Sequence, residues 1–385
     1  MIRSLGLGLF LSLSAFAAGP VLAQAGKLPE TLSATAYDTG TSGFNMAVAI
    51  GQMLKNKHGS DLRVLPAGND VARLAPLKVN RAQFSAMGIG TYFAQEGVLE
   101  FAVKDWGPQP LRVMLTATSC NGLSLAATAD SGIKTPKDMK GKRLGFVRGS
   151  PALNQGSFAL IAYSGLTTKD VILVEFSNFG AMWKGMINNE IDLAFASTIT
   201  GQAKEVENSP RGLFWPEFPA GDKEAWARVN KIAPYFFAHN STCGAAFAKD
   251  ETRVLPAYPY PIMMAYAQYS SDHIRIIVKA MIDNYDEYKT AVPGIDGFEG
   301  KRQKFDWIVP YHDGAVEALK ASGLWSAGAQ KHNDALVKRQ ETLVAAWAAF
   351  TKGATPDDKD AFRVAWMKVR GEALAKAGMD VVFTE

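Results

Sequence analysis

One order of segments occurs twice along this chain of 385 residues. In the first copy a short β-type run, "TLSATAYD", leads into Met46, Ala49, Ile50, Met53 and Leu54. That spacing of i, i+3, i+4, i+7 and i+8 puts apolar side chains on one face of a helix. A strand at "DLRVLPA", a turn at Gly68-Asn69-Asp70, a helix carrying Val71, Leu74 and Leu77, and a third strand at "AQFSAMGIG" complete the copy. The order β-loop-α-β-loop-α-β returns in "KRLGFVRGSPALNQGSFALIAYSGL", "VILVEFSNFGAMWKGMI" and "DLAFASTIT". Spacings agree as well: Gly68 and Gly88 lie 28 and 48 residues beyond Gly40, and Ser177 and Ser197 lie 28 and 48 beyond Gly149.

Strands alternating with helices imply parallel sheets with right-handed crossovers, whose ligands sit outside the carboxyl ends of the strands. Two copies therefore predict two lobes with a cleft between them, and 48% apolar residues suffice to give each a core. Six loops become candidates together: residues 39–45, 67–70, 87–91, 148–154, 177–180 and 197–201. The run "LRVMLTATSCNGLSLAAT" suits a strand crossing from one lobe to the other, with a return crossing in "CGAAFAKDETRVLPAYPYPIMMAYA". This reading assigns residues 26–120 with about 255–300 to one lobe and 121–254 to the other. Residues 301–385 form a helical C-terminal extension packing on the lobes. Its helices are expected at Asp313 to Ala321, at Ser326 to Lys352, and after a start at Thr355-Pro356-Asp357-Asp358, with Gly378 as the stop. Phe362, Ala365, Trp366 and Val369 give the last a stripe to bury, which reads as a structural buttress.

The N-terminus has Arg3, an apolar run of 14 residues from Leu5 to Ala18, and small residues at Val21-Leu22-Ala23 and Ala23-Gln24-Ala25. This reads as a secretory signal peptide over residues 1–25, cleaved near Ala23 or Ala25. The run is shorter than the roughly 20 apolar residues that span a bilayer. Loss of Arg3 takes the formal charge from +4 to +3, with no Lys/Arg block, which argues against a nucleic-acid partner. Cys120 and Cys243 would then sit where disulfides persist, and either pair with each other or remain two buried thiols.

The loop "TGTSGFN" places backbone N–H groups and the hydroxyls of Thr39, Thr41 and Ser42 at the start of a helix. Unpaired donors and partial positive charge gather there and favour an anion. Read in isolation this fits an ordinary capped turn better; its repetition at Gly68-Asn69-Asp70 and Gly149-Ser150-Pro151 favours a carboxylate or phosphate cradle. Arg148 is the strong cation among the six loops, and is either a bidentate carboxylate partner or a solvated rim residue. Tyr37, Phe44 and Phe179 can wall a pocket, while Trp183 fits core packing. "GTSGF" lacks the second glycine of a nucleophile elbow, and "GIGTYF" lacks the third glycine of a dinucleotide fingerprint. The five histidines have no metal-ligand spacing and no C-x-x-C occurs, so neither an enzyme, a metal nor a cofactor is indicated.

In order, the signal segment, "TGTSGFNMAVAIGQML", "GNDVARLAPLKVNRAQFSAMGIGTYFA", "TPKDMKGKRLGFVRGSPA", "AMWKGMINNEIDLAFAS" and "VPYHDGAVEALKASGLW" resemble the TAXI family of solute receptors for TRAP transporters. The resemblance implies an α/β fold of the two-lobed, type II periplasmic-binding-protein kind, each lobe a mainly parallel sheet flanked by helices. It implies a monomeric periplasmic protein that closes on a small anionic solute, an amino acid such as glutamate or a dicarboxylate. Delivery would be to the integral-membrane subunits of a TRAP permease, through a transient contact. An importer-associated or sensory binding protein, or a periplasmic enzyme, would share the architecture. Candidate ligand-binding residues are Tyr37, Thr39, Gly40, Thr41, Ser42, Phe44, Asn45, Gly68, Asn69, Met87, Gly88, Arg148, Gly149, Ser150, Ser177, Phe179, Ser197 and Thr198. One carboxylate is expected on residues 39–45 and another near Arg148 to Ser150.

Overall fold

The computed structural model describes residues 26–384, so the expected signal segment lies outside the described residues. The first repeat forms β1 (Thr31–Ala36), α1 (Ser42–His58), β2 (Asp61–Pro66), α2 (Asp70–Lys78) and β3 (Phe84–Met87). Met46, Ile50, Met53 and Leu54 of α1 are buried, as the spacing requires. Thr41 caps its start by accepting the Phe44 N–H, and Gly59 ends it in the left-handed conformation. A short α3 (Gly90–Glu96) follows, then β4 (Leu111–Thr116), whose chain continues through residues 117–122 into β5 (Leu123–Thr128).

The second repeat forms β6 (Arg143–Val147), α4 (Pro151–Ala162), β7 (Ile172–Phe176), α5 (Phe179–Ile187) and β8 (Leu193–Ser197). After it come α6 (Gly201–Glu207), β9 (Leu213–Phe214), α7 (Lys223–Ile232), β10 (Phe237–Ser241) and β11 (Arg253–Ala257). Residues 258–261 lead to β12 (Ile262–Tyr266), and α8 (Ser271–Asp283) and α9 (Tyr285–Tyr288) follow.

The first sheet has the order β2-β1-β3-β12-β4 and the second β7-β6-β8-β5-β9; β10 and β11 pair separately. Role for role the two orders are the same, and this is the two-lobed α/β architecture of type II periplasmic binding proteins. Strands of each repeat run parallel, but β12 is antiparallel to β3 and β4, and β5 is antiparallel to β8 and β9. The reason is direction of entry. Repeat strands end at the cleft, whereas β5 and β12 begin there, having just crossed from the other lobe, and must run away from it. The long run expected as one crossing strand is accordingly two strands in different sheets.

Cys120 in the first crossover is bonded to Cys243, with Cα atoms 5.4 Å apart, and Cys120 O accepts the Thr242 N–H at 2.8 Å. Helices α10 (Asp313–Ala321), α11 (Ala327–Lys352) and α12 (Lys359–Lys376) end the chain. The last starts later than its sequence implies: the Asp358 carboxylate takes the Ala361 N–H at 2.8 Å and fixes the cap there, leaving Thr355 and Pro356 before the helix. Its buried face holds Phe362 and Trp366 as expected, but also Arg370 and Leu374. Trp366 stacks edge-on with Trp347 of α11 at 4.8 Å and donates to Gly97 O at 2.7 Å. Arg339 of α11 and Arg370 of α12 both bind the buried Glu96 carboxylate at the end of α3. Among the described residues no helix is long and apolar enough to cross a membrane.

Candidate functional site

The strand ends of the two sheets face each other, and the loops beyond them touch directly. Gly40 O accepts the Gly201 N–H at 3.0 Å, and Thr39 O accepts from Gln202 Nε2 at 3.1 Å. Asp38 takes the Gly180 N–H at 2.8 Å, and Gly68 O takes that of Phe179 at 3.0 Å. Gly149 O in turn accepts from Val71 N at 3.2 Å. Backbone shape makes these approaches feasible: Gly40 and Gly149 have φ of +86° and +74°, and a Cβ on Gly68 would meet Asn178 at 2.4 Å. The lobes are closed on one another.

Within the closure lies a small cavity of about 30 Å³. That central space suits a few waters. Tyr37, Thr41, Ser42 and Gly88 line it from the first lobe, and Ala152, Leu153, Phe179, Phe195, Ala196, Ser197 and Thr200 from the second. Leu123, Tyr258 and Tyr260, at the ends of the two crossovers, close the remaining side. Tyr37 and Phe179 meet across the lobes with ring centroids 5.5 Å apart. Burial pushes the Tyr37, Tyr258 and Tyr260 phenols upward, so all three stay neutral. The Tyr260 hydroxyl sits against the Ser42 side chain and the Gly43 N–H at the start of α1. Among the described residues no charged side chain lines this cavity.

Charge is instead placed just behind it. Asp70 and Arg73, at the start of α2, are fully buried and form an ion pair. The Arg73 guanidinium lies over the Tyr37 ring, 3.4 Å from its centroid, and its Nη1 donates to Ala86 O at 3.2 Å. Asp70 Oδ1 accepts the Tyr37 hydroxyl at 2.9 Å. Asp70 Oδ2 reaches into the second lobe, accepting the Ala152 N–H at 2.8 Å and lying 3.4 Å from Ser150 Oγ. Ser150 Oγ and Tyr37 Oη, 3.0 Å apart, close the network. The α4 N-terminus thus holds a carboxylate, in the way unpaired first-turn amides favour, and that carboxylate belongs to the protein.

The sequence-derived candidates divide accordingly. Tyr37, Thr41, Ser42, Gly88, Phe179 and Ser197 line the cavity. Thr39, Gly40, Gly68, Gly149 and Ser150 are used in lobe-to-lobe contacts, and Asn69 packs against Gly149 while capping α2. Met87 is buried in β3 and Phe44 is partly buried against the core, while Asn45 Nδ2 donates back to Gly40 O at 3.4 Å. Ser177 is exposed and pairs with its neighbour Asn178, and Thr198 binds Cys243 O at 2.8 Å beside the crossover. Arg148 does not reach the cavity: its side chain is 79% exposed and pairs with Glu175 on the rim. The position expected to hold a second ligand carboxylate, near Arg148 to Ser150, is filled by Asp70.

Sequence reasoning placed Asp70 in a candidate loop without giving it a role, and missed Arg73, Tyr258 and Tyr260 as site residues. A signal existed for the tyrosines, since "YPYP" puts two rings on a proline-stiffened crossover. For Asp70 and Arg73 the spacing i, i+3 looks like any surface ion pair.

A model of the NMT1-like family matches residues 34–323, which takes in both repeats and both crossovers. The chain belongs to the NMT1-like family. No curated protein matches it. Among solved structures, an ancestral arginine-binding protein bound to arginine is similar at 14% identity and a TM-score of 0.42, over 69% of this chain and 99% of that one. The alkanesulfonate-binding protein SsuA from Xanthomonas axonopodis pv. citri, bound to MOPS, is 13% identical with a TM-score of 0.43, over 84% and 93%. An amino acid ABC transporter substrate-binding protein, AbpA from Streptococcus pneumoniae, bound to L-arginine, is 11% identical with a TM-score of 0.41, over 70% and 92%.

Proposed function

We propose that the protein is an extracytoplasmic, non-enzymatic solute-binding protein that captures a small carboxylate-bearing solute between its lobes. The observation that carries this reading is the cavity itself. It lies at the carboxyl ends of both sets of repeat strands, is lined from both lobes, and is closed by side chains of the crossovers. A solute there touches both lobes only when they are shut, so its binding shifts the open–closed balance by that difference in contact.

A carboxylate is the favoured ligand group because both repeats begin their first helix at the cavity, with Thr41 and Ser42 on α1 and Ala152 on α4. Donation of the Ala152 N–H at the start of α4 to the Asp70 carboxylate supports the chemistry of the cradle. Tyr and Phe rings supply an apolar wall for the body of the solute. The amide groups and hydroxyls must part to admit an amino-acid-sized ligand, and closure around it is the state a membrane partner reads. Delivery is assigned to a TRAP-type permease through a transient contact, on the order of motifs along the sequence.

Thermal-shift screening against amino acids, monocarboxylates, dicarboxylates and neutral sugars tests the ligand class. A ligand at about 100 times its Kd adds about 2.7 kcal/mol of stability, and a carboxylate is expected to give the largest shift. Stabilisation by sugars alone would overturn the cradle reading. Co-purification with an ion-gradient-driven permease is the expected delivery result, and an ATP-hydrolysing importer in its place would overturn that assignment.

A further inference from the structure

We infer that Asp70 is a specificity-determining residue that limits the solute to one that brings no carboxylate to the second lobe. The inference rests on the proposed solute-binding function and deepens it. Asp70 is rooted in the first lobe by Arg73 and by Tyr37, yet its Oδ2 takes the Ala152 N–H of α4 at 2.8 Å. It stands where a ligand carboxylate would otherwise dock on the second repeat.

Three features make this a filter and not a simple structural bond. First, the carboxylate crosses the cleft, so its contact with α4 exists only while the lobes are shut. Second, the buried cation behind the cavity is already neutralised: Arg73 is paired with Asp70, and the cavity lining adds no other charge. A second ligand carboxylate at Ala152 would lie within a few ångströms of the Asp70 oxygens in a low-dielectric setting, without a cation of its own. Third, the first-lobe cradle keeps the Thr41 and Ser42 side chains at the cavity wall, so one carboxylate can be held there against α1. The selected solute is a compact monocarboxylate with an uncharged, apolar or amide-bearing far end, facing the rings of Phe179, Phe195 and Tyr258.

The test uses isosteric pairs that differ only in the second acid, glutamine against glutamate and succinamate against succinate, measured by calorimetry on the full mature chain. The wild-type protein is expected to bind the monocarboxylate of a pair at least ten-fold more tightly. Asp70→Asn should reduce or reverse that ratio by ten-fold or more, because Arg73 then becomes available to the ligand. If Asp70→Asn does not fold, the charge-neutral pair Asp70→Asn with Arg73→Gln should bring the ratio towards one. A wild-type preference for the diacid, or a ratio unchanged in a folded variant, would overturn the role of Asp70 while leaving the solute-binding function standing. Failure of every carboxylate to bind the wild type would overturn both.

Discussion

At the scale of single residues, glycine positions and charged positions carried different amounts of information. Gly40 and Gly149 mark matching turns because both need positive φ, a demand that leaves its mark on any sequence. Arg148 drew attention as a cation beside one of those turns, but its guanidinium points to Glu175 and to solvent. Arg148→Ala is therefore expected to change affinity for the best solute less than two-fold by calorimetry; a ten-fold loss would return Arg148 to the site. The cation that matters to the cavity, Arg73, was not distinguishable in sequence. Burial of a charge depends on what the rest of the chain places around it, here the Tyr37 ring, Ala86 O and the Asp70 carboxylate.

At the scale of elements, the repeat helices and strands were legible from apolar spacing, whereas the function of the last two helices was not. Besides the Trp366 and Gln340 side chains, which donate to Gly97 O and Leu111 O, α11 and α12 are tied to the first lobe by the buried carboxylate of Glu96, which receives Arg339 and Arg370. Burial by itself would raise the Glu96 pKa, but the bonds and charges of Arg339 and Arg370 outweigh it and leave the pKa lowered. With the folded pKa below the unfolded one, the contribution is full above the ordinary glutamate range and is lost as pH falls through the folded pKa. Denaturant titrations are expected to show the wild type losing stability below about pH 4.5 more steeply than Glu96→Gln. At pH 7 the same substitution should cost about 3–5 kcal/mol, since it strands the buried Arg370. Equal pH slopes for the two proteins would refute this account of how the tail is attached. The stripe of Phe362 and Trp366 announced a buried face in sequence, but its partner, the Gly97 turn more than 250 residues earlier, could only be supplied by the fold.

At the scale of the whole molecule, the two lobes are joined by two crossovers and by the bond between Cys120 and Cys243, which closes a loop with a sequence separation of 123. Removing both sulfurs as Cys120→Ser with Cys243→Ser should lower stability by about 2–5 kcal/mol in chemical denaturation. No loss would mean that the paired segments are held by their backbone bonds alone. The repeat by itself determined much of the architecture: strand and helix periods are local, and two copies of one local pattern lead to two similar sheets with facing edges. Antiparallel insertion of β5 and β12, the meeting of Asp70 with α4, and the choice between rim and cavity for each cation were decided only in the tertiary structure. Those outcomes depend on distance and dielectric between residues far apart in the chain, and neither composition nor spacing encodes them.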